Sequence, residues 1–296
     1  MRSLRCGKVG ELKAIELLFI VVLLAVTACT SRQPESTPLP LRPGVKAFDA
    51  SKVAQLSAER RAALEQELFS ELQVWNMGSR QYPDQAGIAA REQRWQAMAD
   101  EGLELAHITL TVLEPRTGKA HELTPAIKRL EVLAEQGDAG AMCLIDRLVN
   151  VTAAQLDWKQ YEATARKWLE RGAELGHPEC LISLGGRTLR GVGYTKDTAR
   201  GLELIFRGRK AGYAHGVGSL ILFYKSKGFE DDANVKRLYC WMVMEDRFYF
   251  RDPIDEIARM MRKQSNSLYE HNRETLSELA AWEPNLQDCV DLGKGE

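Results

Sequence analysis

The chain has no excess charge of either sign. It carries 40 Lys and Arg against 41 Asp and Glu, a formal net charge of −1. That excludes a strongly basic nucleic-acid binder, and no Lys/Arg run with interleaved aromatics offers a local substitute. Histidine is scarce, with five residues in all, and none stands in an H-E-x-x-H arrangement. His121-Glu122 lacks the second His that would put two ligands on one helix face. No C-x-x-C occurs, which removes the usual framework of a structural zinc site. Neither G-x-S-x-G nor S-x-x-K occurs, so a nucleophile elbow or a Lys-activated serine has no support. Gly191-Val-Gly193 lacks the Gly-Lys-Ser/Thr that would follow in a phosphate loop. These absences leave no catalytic constellation, no metal site and no cofactor, and the chain reads as non-enzymatic.

What is present begins with a targeting pattern. Arg2, Arg5, Lys8 and Lys13 precede an apolar run from Leu17 to Ala28. The run has about the length of a signal-peptide core and is too short to span a bilayer comfortably. Val26-Thr27-Ala28-Cys29 ends it and resembles a bacterial lipobox, in which Cys29 is acylated and becomes the first residue. The competing reading is an uncleaved anchor with an incidental Cys; the small residues directly before Cys29 favour the lipobox. Thr30 stands where a lipoprotein kept at the inner membrane often has Asp. The resemblance therefore implies a periplasmic protein lipid-anchored to the outer membrane.

The rest of the chain repeats. Gly102, Gly137, Gly176 and Gly212 are spaced by 35, 39 and 36 residues. Seven residues before them stand Trp95, Leu130, Leu169 and Ile205, and three before stand Ala99, Ala134, Ala173 and Arg209. Four after stand the small Ala106, Ala141, Cys180 and Gly216, and eight after the large Leu110, Ile145, Leu184 and Leu220. A small and a large residue at i and i+4 share one helix face, the first admitting a neighbouring helix and the second filling the core. A period near 36 with two helices per unit is the mark of an α-solenoid.

The stretch Leu184-Gly185 to Gly191-Val-Gly193 and Asp197 resembles the Sel-one-like repeat (SLR), a relative of the tetratricopeptide repeat. Ala134-Glu-Gln-Gly-Asp-Ala-Gly-Ala141 resembles that family's inter-helix turn. The fold expected is all-α, an α-solenoid of paired antiparallel helices with capping helices at both ends. Five segments follow: a signal peptide at 1–28, a Pro-rich tether at 29–45, an N-terminal capping helix and loop at 46–87, the repeats at 88–250, and a C-terminal helix with a frayed tail at 251–296. Linkers near 114–125 and 149–158 read as insertions on one face.

Cys6 leaves with the signal and Cys29 would be acylated, so Cys143, Cys180, Cys240 and Cys289 remain. Four cysteines allow three connectivities, and an exported protein can keep disulfides. A Cys143–Cys180 bridge would join neighbouring units, but a free buried thiol would serve equally at Cys180. A Cys240–Cys289 bridge would staple the tail to the last repeat helix.

A solenoid offers a curved surface to another protein. Leu113, Leu148, Arg187 and Phe223 stand eleven residues after the reference glycines. If that column lines the concave face, Arg187 and Phe223 are the candidate protein-binding anchors. Some SLR lipoproteins are immunity proteins against antibacterial effectors, notably phospholipases delivered by type VI secretion. The resemblance thus implies a partner encoded nearby, with a membrane contact through Cys29 and no nucleic acid. A scaffold in envelope assembly or signalling is the alternative, and a cell-wall hydrolase a third reading. The lipobox has a direct check: Cys29→Ala should release the protein from membranes, whereas a variant that stays wholly membrane-bound with unchanged mass contradicts acylation.

Overall fold

The computed structural model describes residues 39, 41–76, 85–114, 119–211, 213, 218–245 and 252–293. The expected signal, Cys29, most of the tether, the loop with Gly78 and Pro83, Gly212 and Gly216 lie outside these residues. The chain divides into two units between Pro38 and Leu39, and the described residues belong to the second. A 3-10 turn at Ala50–Gln55 leads into α1 (Ala58–Asn76), α2 (Gln85–Glu101) and α3 (Glu104–Val112). A two-stranded antiparallel ribbon follows, β1 (Leu113–Glu114) paired with β2 (Lys119–Ala120). Then come α4 (Thr124–Glu135), α5 (Ala139–Thr152), α6 (Glu162–Glu174), α7 (Pro178–Arg190), α8 (Thr198–Lys210), α9 (Gly218–Ser226) and α10 (Asp232–Glu245). The chain closes with α11 (Pro253–Gln264), α12 (Asn266–His271), α13 (Arg273–Ala280) and α14 (Leu286–Gly293). The fold is all-α apart from the ribbon, which occupies the place where the sequence reads as a linker.

The glycine turns share one geometry. Gly102, Gly137 and Gly176 have φ of 112°, 94° and 82°, a left-handed conformation that costs Gly no Cβ clash. Each glycine N–H bonds to the carbonyl three residues back, on Ala99, Ala134 and Ala173, at 3.0 Å. The next N–H, from Leu103, Asp138 and His177, reaches the carbonyl five back, on Met98, Leu133 and Gly172, also at 3.0 Å. This pairing satisfies carbonyls that a helix end would otherwise leave bare. Of the helices that follow these turns, α5 starts on a side-chain cap, Asp138 Oδ1 accepting from the Ala141 N–H at 2.9 Å; α8 is capped likewise, Asp197 Oδ1 accepting from the Arg200 N–H at 2.9 Å. Pro178 opens α7, where a missing N–H costs nothing.

The repeat columns are inside. Trp95, Leu130, Leu169 and Ile205 are buried, as are Ala99, Ala134, Ala173, Ala106, Ala141 and Cys180. Arg209 is buried too, in the column that is otherwise Ala, and its Nη1 donates to the Tyr213 carbonyl at 2.7 Å. From α2 to α8 each helix packs on the next in sequence, and α3, α5, α7 and α9 also touch at every second position. α7 and α8 approach each other closely. A Cβ on Gly201 would lie 2.7 Å from the Leu189 N and 2.8 Å from its Cα, and one on Gly185 would lie 2.8 Å from the Gly201 carbonyl oxygen.

Two disulfides are formed. Cys143–Cys180 joins α5 to α7 and Cys240–Cys289 joins α10 to α14. The expected frayed tail is therefore corrected: α14 is stapled, Cys289 and Val290 are buried, and Arg237 Nε donates to the Leu292 carbonyl at 2.7 Å. The tether is shorter than the sequence reading placed it, because Arg42 and Val45 are buried. Arg42 bonds the Leu110 carbonyl at 3.2 Å and Glu92 at 2.5 Å. Expected outcome: Gly201→Ala lowers stability by about 1–3 kcal/mol, because backbone atoms of α7 cannot yield to the added methyl. Thermal unfolding of the purified variant measures it, and an unchanged melting temperature contradicts the close α7–α8 contact.

Candidate functional site

Arg61, Glu65 and Phe69 are spaced by four residues and form one stripe of α1. Each meets a residue that directly follows a reference glycine. Arg61 Nη2 lies 2.5 Å from Asp138 Oδ2. Glu65 Oε2 lies 3.6 Å from His177 Nε2. The Phe69 ring sits 5.9 Å from that of His177, edge-on, and 6.3 Å from that of Tyr213. Phe69 is buried, as are Leu64, Leu68 and Leu72 beside the stripe, and together they anchor the helix to the core. Gly140 makes room for the approach, since a Cβ there would lie 2.9 Å from Glu65 Oε2. The sequence reading gave α1 as a cap over the end of the repeats; α1 meets Asp138 and His177, which follow two of the glycine turns, and Tyr213.

The charges on this stripe are coupled. Burial raises the Glu65 pKa, but the hydrogen bonds from His177 and Arg61 outweigh it and hold the carboxyl below its ordinary value. Asp138 goes the other way: burial pushes its pKa up, against the pull of Arg61 and of the Ala141 N–H. Burial also raises the Tyr213 phenol, whose Oη has no hydrogen-bond partner among the described residues. An open cleft of about 530 Å³ lies beside the stripe, lined among others by Arg61, Glu65, Glu104, Gly137, Asp138 and His177. His177 makes no capping bond with its ring, and Nε2 faces Glu65. Its Nδ1 lies 3.0 Å from Cys143 Sγ of the first disulfide.

The expected anchors are engaged elsewhere. Arg187 Nη2 pairs with Asp146 Oδ1 at 2.5 Å, and the Arg187 side chain is only 21% exposed. Asp146 is buried, also accepts from Asn150 Nδ2 at 3.0 Å, and has a raised pKa from desolvation against the pull of Arg187 and Arg147. Phe223 is half-buried against the second core, with Tyr224 edge-on to it and Lys227 Nζ 4.9 Å from its ring centre. Leu113 and Leu148 of the same column are core. The stripe on α1 and the column Asp138, His177, Tyr213 were missed from sequence; the four-residue spacing and the position after each glycine were the available signals.

No protein-family model matches this chain, and neither a curated protein nor a solved structure matches it. Expected outcome for the site: Phe69→Ala costs about 3–5 kcal/mol, as for other buried Phe truncations. Amide hydrogen exchange along α1 should accelerate more than in α6 to α8. Exchange that stays as slow as in the parent protein contradicts the docking of α1 on the turns.

Proposed function

We propose that this chain is a protein-binding module of the α-solenoid kind, built from Sel-one-like repeats with capping helices. An acyl group on Cys29 anchors it to the outer membrane, and it captures a folded partner in the periplasm. The observation that carries the binding reading is the surface made by the residues after successive glycine turns. That surface already accepts a helix, α1, through an ion pair, a carboxylate–imidazole contact and an aromatic cluster. Next to α1 it stays open as the cleft, where the three carboxylates of Glu65, Glu104 and Asp138 face two guanidiniums, Arg61 in the lining and Arg129 paired with Glu104 at 2.5 Å. A partner helix or loop carrying basic groups fits such a lining by charge complementarity. Arg187 and Phe223 are secondary contacts in this reading, because Arg187 already neutralises Asp146.

The partner we assign is an antibacterial effector of the phospholipase type, the chain being its immunity protein. The support is the likeness of residues 165–200 to the Sel-one-like repeat, together with the lipobox-like Val26-Thr27-Ala28-Cys29. An acyl tether holds a binder at the surface such a lipase attacks and raises its local concentration there. A soluble form for testing should keep residues 39–296, since Arg42 is part of the folded unit. Titrated into the product of the adjacent gene, it should abolish lipase activity near one-to-one when concentrations exceed the dissociation constant. One molecule silencing many would contradict capture and favour an enzyme. Absence of binding to any adjacent gene product would shift the reading to an envelope scaffold.

A further inference from the structure

Cys143 Sγ, Cys180 Sγ and His177 Nδ1 all lie within 4.8 Å of one another. Both cysteines are buried, at 2% and 0% exposure, whereas His177 borders the open cleft. The glycine turn fixes His177, since its N–H bonds to the Gly172 carbonyl at 3.0 Å. Gly172 also clears the space for sulfur, because a Cβ there would lie 2.3 Å from Cys180 Sγ. The Glu65 carboxylate lies 3.6 Å from Nε2 and faces the ring proton in the tautomer that carries it on that nitrogen. Nδ1 then points a lone pair at Cys143 Sγ from 3.0 Å. A sulfur in a disulfide has no proton to give, so the bridge leaves this lone pair unanswered. A metal ion between the three atoms would answer it.

We propose that the reduced pair Cys143 and Cys180, with His177 Nδ1, binds one thiophilic cation of the Zn²⁺ class, and that the disulfide is the oxidised form of this site. Two thiolates and an imidazole are a borderline-soft donor set suited to such an ion. Three protein ligands leave a position for water, and His177 borders the open cleft. Glu65 acts as a positioning residue, holding the ring and its tautomer from the far side as carboxylates do behind ligating histidines. The chemistry closes. A dithiol reductant supplies two electrons and two protons, the Sγ–Sγ bond breaks to give two thiols, and the reductant closes to its own disulfide. The cation then replaces the two thiol protons, which leave to solvent. The spacing in sequence hides the site, because the two cysteines stand 37 residues apart on different helices.

The test uses the purified full chain in detergent, oxidised or reduced with a phosphine, titrated with Co²⁺ as the spectroscopic probe. The reduced protein should take up one equivalent with thiolate-to-cobalt charge-transfer bands that Zn²⁺ abolishes, and the oxidised protein should show none. The double variant Cys240→Ser/Cys289→Ser should keep the bands, and Cys143→Ser/Cys180→Ser should lose them. His177→Ala, which retains both cysteines, should weaken Co²⁺ binding about tenfold or more. The site is overturned by an absence of bands in reduced protein that keeps its helical circular dichroism, by bands that survive Cys143→Ser/Cys180→Ser, or by unchanged affinity in His177→Ala. Reduced protein that loses its helical signal and does not regain it with Zn²⁺ overturns the site equally.

Discussion

A carboxylate taken out of water must be paired, or its desolvation outweighs what its neighbours return. Glu65 is where this molecule meets that demand, with its side chain only 12% exposed. Arg61 answers it from one turn away on the same helix, at 2.8 Å, and His177 answers it from a different repeat. Arg61 is then shared with Asp138, whose other oxygen caps α5. The cap, the glycine turn and the docking of α1 are thus one connected set. The geometry follows from the turn. A left-handed glycine reverses the chain in the fewest residues and leaves the next residue beside the helix that lies across it.

Much of the repeat was legible in the sequence, for a local reason. Gly102, Gly137 and Gly176 are needed where φ is positive, and Trp95, Leu130, Leu169 and Ile205 must be apolar because they sit in the core. Such demands act within about ten residues and leave a periodic trace. The contacts of α1 leave only the four-residue spacing of Arg61, Glu65 and Phe69, which does not name their partners. Arg61 and Asp138 stand 77 residues apart, and an Arg on a helix reads as a solvated face until the partner is known. Arg187 shows the converse. Its column position suggested an exposed anchor, but a buried Asp146 one repeat earlier takes its charge.

At the end of the chain the Cys240–Cys289 bridge was among the pairings the cysteines allowed, but the helix it staples read as a frayed tail. Residues 286–293 are short and partly polar, and such a helix has little stability alone. What holds α14 is remote: the bridge from Cys289 to Cys240, the Arg237 bond to the Leu292 carbonyl, and Phe206 packed where Gly293 has no side chain. The ribbon β1–β2 likewise depends on a partner outside itself, since the Ala120 N–H donates to Gln155 Oε1 at 2.8 Å.

The account stands on α1 lying along the turns, and a double-mutant cycle on Arg61→Ala and Asp138→Ala tests that most directly. Asp138→Ala also removes a helix cap, but the cycle cancels that part and leaves the pairing between the two helices. Unfolding free energies of the parent, the two single variants and the double variant supply it. The account predicts a coupling of about 0.5–3 kcal/mol between residues 77 apart in sequence. Single-variant effects that add to within about 0.3–0.5 kcal/mol would contradict it.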